Sequence, residues 1–478
     1  MSYKTAIASM LALGHELADT PSQKFDLAAM RVLLAALGNP ESRFPSVLIA
    51  GTNGKGSTAA TLASILRASG YKTGLYTSPH LLRINERIRV DGTEIGDDDF
   101  ALLHGKVDRA AERLVEQGQL PWHPSFFEMM TAIAFEHFAQ EAVEMAVLEV
   151  GMGGRLDATN VVEPEVSVIT DIALDHQKFL GNTVGEIAGE KVGIIRPGGV
   201  VVTLPQHPEA NDVIGDTVLK LGARVMSAVP YVPPVSPASS QYLVPGAECR
   251  APNFGEDQPL DREIAVGPAN SAEKHGRGYI YRYPLQVMGK QILVETALIG
   301  RHQLRNVALA IATAKALSDR GFSGITADSI ERGIRETRWP GRFQVIASRA
   351  GSPEIVMDVA HNPAGAWALR AALSAQYDDR PLIFVFGAMR DKAISEMAEI
   401  LFPLAELVIA VQAENPRSAS PEEIREAAKR SSTEIETAEN VASALDRARA
   451  LSKLQTVVVI TGSIYVVGEA MRSFGSKV

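Results

Sequence analysis

Eight short runs of apolar residues constrain the fold of this chain more than any other feature. The runs are continuously apolar rather than alternating, which is typical of strands covered on both faces. Segments with helical spacing, such as residues 57–70 and 364–376, separate most of them. Strand and helix in alternation predict an α/β chain with parallel sheets. The predicted strands are residues 47–50, 144–150, 165–170, 199–204, 354–360, 381–387, 407–411 and 456–461.

The length of the chain predicts more than one domain, because 478 residues exceed what a single core normally organises. The sequence RWPG at residues 338–341 interrupts a helical pattern, and a new strand is expected after it. We therefore predict two domains, residues 1–337 and 338–478. Residues 228–278 are rich in proline, glycine, serine and asparagine and have no amphipathic period, which predicts a surface insertion.

Charge and cysteine content exclude several classes of function. The formal net charge of −9 disfavours non-specific binding to nucleic acid or to an anionic membrane. The single cysteine, Cys249, excludes an internal disulfide and a thiolate-cluster zinc site, and it favours a reducing compartment. His15, Glu16 and Asp19 interrupt the apolar patch near the N-terminus, and no run reaches the ~18 apolar residues of a membrane span. We therefore expect a cytoplasmic protein.

The first predicted strand leads directly into a glycine-rich loop, GTNGKGST, at residues 51–58. A strand, such a loop and a helix N-terminus form an anion site, because unpaired backbone N–H groups and the helix dipole point at the ligand. Lys55 can neutralise phosphates, and Ser57 or Thr58 offers a hydroxyl to Mg²⁺. The general phosphate-loop pattern has glycine where this chain has Ile49, and Ser or Thr where it has Gly56. From the loop alone, a phosphate site and a plain strand-to-helix turn both stay open.

Eight further motifs follow this loop along the chain. They are TSPHLLRINERIRVDG (77–92), LEVGMGGRLDATN (148–160), ALDHQKFLG (173–181), EKVGIIRPG (190–198), GRHQLRN (300–306), WPGRFQ (339–344), MDVAHNP (357–363) and GAMRDK (387–392). With GTNGKGS they resemble the folylpolyglutamate synthase and dihydrofolate synthase family of Mur-ligase-like, ATP-dependent amide ligases, from about residue 20 to the C-terminus except across the insertion. The resemblance implies an α/β fold with an N-terminal P-loop NTPase-like domain, whose mostly parallel sheet carries helices on both faces. It also implies a smaller C-terminal Rossmann-like domain.

The same resemblance assigns residues to ATP and magnesium. Glu149 ends a predicted strand, where a buried carboxylate is costly unless it is paired or coordinated, and the pattern alone leaves a loop-capping role open. His176 is, by pattern alone, a loop histidine. The resemblance implies that magnesium is held by Ser57, Ser78, Glu149 and His176. It implies that ATP is bound by Gly51, Thr52, Asn53, Gly54, Lys55, Gly56, Ser57, Thr58, Asn306, Arg342 and Asp358, with Asn306 at the adenine and Arg342 at the phosphates.

Three residues are implied to take part in catalysis, Lys55, Lys191 and His361. The pattern alone predicts that Lys191 is exposed at a helix end, whereas the resemblance implies a carbamylated lysine that assists a second magnesium site. His361 is implied to lie near the phosphates or the incoming glutamate. The acceptor side is implied to be formed by Ser78, Pro79, His80 and Arg87.

The implied reaction joins L-glutamate to a carboxylate of dihydropteroate or a reduced folate, through an acyl phosphate, in a monomer that needs no nucleic acid or membrane. Alternatives stay open. The chain could extend folates only, or could be a Mur-type amino-acid ligase with another acceptor. A phosphate-loop switch protein and an inactive folate-binding protein are alternatives outside this chemistry.

Overall fold

Two sheets, each covered by helices, form the body of the protein in the computed structural model. The structure describes residues 2–14, 27–234, 243–245, 279–347, 352–453 and 455–475. Each of the eight predicted strands is confirmed. Among the described residues, no helix combines the length and apolar character required to cross a membrane.

The larger sheet belongs to the N-terminal part of the chain. Its strands are β1 (Ser46–Ala50), β2 (Thr73–Tyr76), β3 (Ile88–Val90), β4 (Thr93–Glu94), β5 (Met145–Glu149), β6 (Val166–Ile169), β7 (Val200–Thr203) and β8 (Arg224–Ser227). Their order across the sheet is β4-β3-β2-β5-β1-β6-β7-β8. β3 and β4 are antiparallel to their neighbours, and the other strands pair in parallel.

Both faces of this sheet are buried against helices. Alternate residues of β1 enter separate clusters, since Val47 and Ile49 pack in one and Leu48 and Ala50 in the other. The helices are α1 (Tyr3–Ala12), α2 (Leu27–Ala36), α3 (Lys55–Ala68), α4 (Asp97–Glu116), α5 (Phe126–Gln140), α6 (Gln177–Leu180), α7 (Val184–Lys191), α8 (Pro208–Leu221), α9 (Arg301–Asp319) and α10 (Ala327–Glu336). Single 3-10 turns lie at Pro40–Ser42, Ile84–Arg87, Ala158–Val161, Val192–Ile194 and Val229–Tyr231. The predicted cover of helices on both faces is therefore confirmed.

A small antiparallel sheet, which the apolar runs did not predict, lies between β8 and α9 in the chain. It contains β9 (Leu243–Pro245), β10 (Tyr279–Val287) and β11 (Lys290–Thr296). Met288 and Gly289 connect β10 to β11, and both have positive φ, as a two-residue hairpin turn requires. The predicted insertion falls outside the described residues except at 228–234 and 243–245. Its first residue, Ala228, is fully buried in the core, so the exposed part begins later than predicted.

The C-terminal sheet is smaller and mixed. Its strands are β12 (Gln344–Ile346), β13 (Glu354–Met357), β14 (Leu382–Phe386), β15 (Leu407–Ala410), β16 (Ile435–Thr437) and β17 (Val457–Thr461), in the order β12-β13-β17-β14-β15-β16. β12 is antiparallel to β13, and the remaining pairs are parallel. The helices are α11 (Pro363–Tyr377), α12 (Ile394–Leu401), α13 (Pro421–Ala427), α14 (Val441–Leu451) and α15 (Ile464–Ser473), with a 3-10 turn at Phe402–Leu404. One apolar cluster runs through both parts of the chain, from Ile49 to Phe384.

Candidate active site

The glycine-rich loop connects β1 to α3 and begins the candidate site. Gly54 precedes α3 with a φ of 90°, in the left-handed region that favours glycine. A Cβ atom at Gly54 would lie 2.2 Å from Oδ1 of Asn306, and one at Gly51 would lie 1.8 Å from Oγ1 of Thr170. Both positions therefore require glycine. The N–H groups of the first turn, which starts at Lys55, have no acceptor within α3 and face the loop.

The segment that follows β6 holds this loop in place. The backbone N–H groups of Thr52 and Asn53 donate to the carbonyl of Asp171, at 2.9 and 3.1 Å. The hydroxyl of Thr52 donates to the carbonyl of Ala173 at 3.0 Å and accepts from its N–H at 3.1 Å. Arg305 donates from Nε and Nη2 to the Asp171 carboxylate. The loop is therefore anchored by the neighbouring strand.

Two lysines converge on one carbonyl of this loop. The Nζ atom of Lys55 donates to the carbonyls of Gly51 and Thr52, at 3.1 and 3.2 Å. The Nζ atom of Lys191 donates to the same Gly51 carbonyl at 2.9 Å. Lys191 is only 3% exposed, so its prediction as an exposed residue from the pattern alone is wrong. Burial, together with the nearby Lys55, lowers the pKa of Lys191 to about 7, which makes a large neutral fraction available at neutral pH.

Glu149 lies at the end of β5, beside the first turn of α3. Its carboxylate is buried and accepts from the backbone N–H of Ser78 at 3.2 Å. Burial raises the pKa of Glu149, and Lys55 opposes that effect. A Cβ atom at Gly56 would lie 3.1 Å from Trp339 and 3.3 Å from Oε2 of Glu149. A side chain at position 56 would therefore require the Trp339 indole or the Glu149 carboxylate to move by a few tenths of an ångström.

The hydroxyl-bearing residues of α3 are deeply buried. Ser57 is 2% exposed and Thr58 is fully buried. The Thr58 Oγ1 atom has no hydrogen-bond partner among the described residues. A buried hydroxyl without a partner is costly, so it marks a place where a ligand atom would be stabilised.

His176 precedes α6 and carries a positive φ of 51°. Burial lowers the pKa of His176 to about 4, so its imidazole is neutral at neutral pH and keeps a lone pair for a ligand. Among the residues that the structure describes, no three or more His, Cys, Asp or Glu side chains are grouped as a metal site. The four residues predicted to hold magnesium include two of these residue types, Glu149 and His176. The other two, Ser57 and Ser78, would contribute hydroxyl groups.

Residues of the C-terminal part complete the site. Arg342 is partly buried, and desolvation lowers the pKa of its guanidinium, while Asp358 and Glu149 oppose that effect. The Asp358 carboxylate accepts from the N–H groups of Phe343 and Ala360, at 2.8 and 2.9 Å, so it is oriented by the backbone. Burial raises the pKa of the Asp358 carboxyl above its usual value, and the Arg342 guanidinium offsets part of that rise. Arg342 and Asp358 therefore lie near each other where strand β13 ends.

The two parts of the chain meet at Asp175, which sequence reasoning did not assign a role. Nζ of Lys392 donates to its carboxylate at 2.6 Å, and Nδ2 of Asn362 donates to it at 3.0 Å. His361 presents Nε2 to the same carboxylate at 3.7 Å, with Nδ1 2.9 Å from the Val359 carbonyl. Burial raises the pKa of Asp175, but His176, Lys392 and His361 together lower it well below its usual range.

A second contact crosses between the parts. Asn362 donates from Nδ2 to Oδ1 of Asn53 at 3.0 Å, so the glycine-rich loop touches the start of α11 directly. Burial, then Lys392, lowers the pKa of His361 to about 4. Asp175 and Lys392 lie inside the motifs ALDHQKFLG and GAMRDK, next to residues that were assigned. Their position there is the signal that could have identified them.

A cavity of about 670 Å³ opens between the two parts. Ser78, Pro79, His176, Arg342, His361 and Lys392 contribute to its lining. Trp122 and Phe179 line it with exposed rings. Its volume lies within the range of sites for small organic ligands, roughly 300–1,000 Å³.

Two of the four predicted acceptor residues are outside this lining. Nε of Arg87 donates to Nδ1 of His80 at 2.9 Å, and the Arg87 guanidinium lies 5.2 Å from the ring centre of Phe126. Burial, together with Arg87, lowers the pKa of His80 to about 3. Ser78 and Pro79 line the cavity, whereas Arg87 and His80 pair with each other beside it.

The sequence of this chain is similar to one family model and to known folate-ligase sequences. Residues 341–464 match the family model of the Mur ligase, glutamate ligase domain. The chain is 36% identical over 434 residues to folylpolyglutamate synthase of Lacticaseibacillus casei, covering 91% of each chain. It is 32% identical over 451 residues to dihydrofolate synthase/folylpolyglutamate synthase of Bacillus subtilis (strain 168), covering 93% of each.

Two solved structures have folds similar to that of this chain over 99% of its length. Mycobacterium tuberculosis folylpolyglutamate synthase complexed with ADP has a TM-score of 0.80 and 32% identity, covering 99% of both chains. E. coli FolC in complex with DHPP and ADP has a TM-score of 0.75 and 28% identity, covering 99% of this chain and 98% of that one. The similarity thus includes both large sheets.

Proposed function

Because this chain belongs to the folylpolyglutamate synthase and dihydrofolate synthase family, we propose that it ligates L-glutamate to a pteroate or folate carboxylate and converts ATP to ADP and phosphate. The observation that carries this proposal is the position of the glycine-rich loop beside the cavity: Asn53 of the loop accepts a hydrogen bond from Asn362, and the neighbouring His361 lines the cavity together with Arg342. Relatives support the substrates, since one solved neighbour is complexed with ADP and another with DHPP and ADP.

The chemistry follows from the weakness of a carboxylate as an acyl donor. Transfer of the γ-phosphoryl group of ATP to the acceptor carboxylate gives an acyl phosphate and ADP. The amine of L-glutamate then attacks the acyl carbon, loses a proton and expels phosphate, which leaves an amide. Lys55 and Arg342 neutralise the transferring charge, and catalysis of this kind depends mainly on positioning and electrostatics. His361 lines the cavity, which supports a place for it near the phosphates or the incoming glutamate.

We propose that magnesium is held by Ser57, Ser78, Glu149 and His176. These donors fit the ion because the Glu149 carboxylate is buried beside Lys55 and the His176 imidazole is neutral, although oxygen donors suit magnesium better than histidine does. Bound there, magnesium would neutralise phosphate oxygens.

The buried, partly neutral amine of Lys191 fits carbamylation, because a carbamate forms from carbon dioxide and a neutral amine. The carbamate would be an anion beside Lys55 and would assist a second magnesium ion. This role is proposed from the pKa and burial of Lys191 together with the resemblance in sequence.

Nucleotide contacts are proposed on both sides of the loop. Residues 51–58 would bind the phosphates, Asn306 would contact the adenine next to Gly54, and Arg342 and Asp358 would reach ATP from the C-terminal part. On the acceptor side, Ser78 and Pro79 would contact the pteroate directly, while Arg87 and His80 would support them.

Three coarser properties are also proposed. A boundary at residue 338 is supported by the change from the larger sheet to the smaller one after α10. A monomer is supported by a site assembled from one chain, and light scattering would test it. A cytoplasmic location is supported by the single cysteine, and fractionation would test it.

The test is ADP release coupled to glutamate ligation, with dihydropteroate and tetrahydrofolate offered separately. We expect turnover with at least one acceptor, and the pair of rates decides between a bifunctional enzyme and one that extends folates only. Lys55→Ala serves as the inactive control. Absence of acceptor-dependent ADP release in a folded, nucleotide-binding sample would refute the proposal.

A further inference from the structure

A second, smaller pocket lies against α3, outside the candidate active site. It has a volume of about 160 Å³ and is bounded by one face of α3, strands β2 and β3, and the segment after α10. Ser64 and Arg67 come from α3, Arg89 from β3, and Arg338 and Trp339 from the connecting segment. Nothing in the proposed ligation uses these side chains, so the pocket needs an explanation of its own.

Two buried polar atoms in this lining have no partner. The Ser64 hydroxyl and the Trp339 Nε1 atom are both buried and make no hydrogen bond within the described part of the chain. Ser64 is 8% exposed. The Trp339 Nε1 atom lies on the Gly56 side of the indole, since a Cβ atom at Gly56 would be 3.2 Å from it. A buried hydroxyl left unpaired costs about 1–3 kcal/mol, so the Ser64 hydroxyl indicates a ligand that accepts a hydrogen bond.

Three guanidinium groups line the same pocket. Arg89 lies 5.9 Å from the ring centre of Trp339 and forms an ion pair with Glu94 at 3.4 Å. Arg67 donates to the carbonyl of Asp91 at 3.2 Å and lies 3.8 Å from Glu336. Arg338 donates to the backbone carbonyls of residues 335 and 337.

The carboxylates of the lining are fewer than the guanidinium groups. They belong to Asp91 and Glu336, and the Asp91 carboxylate already accepts from the N–H of Thr73 at 2.9 Å. The lining therefore gathers three guanidinium groups, of which Arg67 and Arg89 also face the carboxylates of Glu336 and Glu94. An anion with several acceptor oxygens matches this set.

We propose that this pocket binds one small tetrahedral oxyanion, for which inorganic phosphate is the probe, through Arg67, Arg89, Arg338 and the Ser64 hydroxyl. A volume of 160 Å³ corresponds to about five water molecules, which is too small for a nucleotide or a pterin. Trp339 also packs against Gly56, so the bound anion would connect the segment between the two sheets to the start of α3. The proposal concerns binding and does not depend on the proposed ligase activity.

Ser64→Ala is the sharpest test, because it removes only a hydroxyl that has no protein partner. Phosphate would be titrated calorimetrically into Lys55→Ala, which weakens the glycine-rich loop as a competing site, and into the same chain with Ser64→Ala or Arg338→Gln added. We expect each added change to weaken phosphate binding about tenfold, the scale of one lost hydrogen bond to a charged group. Arg113→Gln, an exposed arginine of α4 outside the pocket, is the matched control and should leave affinity unchanged.

Thermal unfolding gives an independent measurement. Without phosphate, Ser64→Ala should unfold at or above the temperature of the parent chain, because the change removes an unpaired buried hydroxyl. With phosphate it should gain less stability than the parent, because a ligand stabilises only the state it binds. The proposal is overturned if Lys55→Ala shows no saturable phosphate binding. It is equally overturned if Ser64→Ala and Arg338→Gln bind phosphate as tightly as Arg113→Gln does.

Discussion

Replacing Lys392 with methionine should loosen the contact between the two parts of the protein. Its Nζ atom lies 2.6 Å from Oδ1 of Asp175, and the two side chains are 9% and 8% exposed. Removing one partner of a buried ion pair typically costs about 3–5 kcal/mol, because the other charge stays buried. Asp175 keeps hydrogen bonds from Asn362 and from the N–H of His176, so we expect the lower end, about 3 kcal/mol.

The assay is urea-induced unfolding of Lys392→Met, Asp175→Asn and the double variant. The double variant should be less destabilised than the sum of the single ones, with a coupling free energy of about 2 kcal/mol. X-ray scattering of the folded samples should show a larger radius of gyration for Lys392→Met. Arg390→Met is the matched control, because its ion pair with Glu423 is half exposed on both sides and is worth at most about 1 kcal/mol.

The reasoning is refuted if Lys392→Met loses no more stability than Arg390→Met. It is also refuted if the single changes at Asp175 and Lys392 are strictly additive, since the two side chains would then act independently.

Three further outcomes are expected. Lys55→Ala should fold normally, by circular dichroism, yet lose about 10²–10³-fold in ADP release because transferring charge is left unbalanced; near-normal turnover would contradict its role. Gly54→Ala should abolish ADP binding in calorimetry, because its Cβ atom would meet the side chain of Asn306. Gly70→Ala is the control: its backbone has nearly the same positive φ, 89°, but its Cβ atom would have no neighbour within 4 Å, so this variant should still bind ADP. The pKa of Lys191 falls from 10.5 to about 7 on folding, so the folded chain binds fewer protons between these values and its stability should rise with pH across that window. Lys191→Met should reduce that rise in urea unfolding at pH 7 and pH 9; an unchanged slope would contradict the lowered pKa.

The strands of both large sheets could be predicted because burial on both faces leaves an unbroken apolar run. The β10–β11 hairpin was missed for the opposite reason. Its residues alternate between buried and exposed, as in Tyr281, Arg282 and Tyr283, so no continuous run marks them. The turn at Met288 and Gly289 was the available signal, and a methionine with positive φ is rarely expected.

The parts of the site whose residues are close together in the sequence could be predicted. The glycine-rich loop falls into this class because strand, loop and helix are contiguous. The contact between Asp175 and Lys392 spans 217 residues, and its strength comes from burial that only the packed domains create. Lys191 shows the same limit, since its position at the end of α7 suggested exposure, while packing against the loop made it 3% exposed.

The packing of Trp339 against Gly56 restricts how this loop can change in evolution. The two positions are separated by 282 residues, yet a side chain at position 56 would intrude on the indole and on Glu149. A change from glycine to serine at position 56, toward the general phosphate-loop pattern, would therefore require the indole or the carboxylate to move by a few tenths of an ångström, and a smaller residue at position 339 would remove part of that requirement. Related sequences with a larger residue at position 56 should accordingly carry a smaller residue at position 339 more often than chains with glycine at position 56 do.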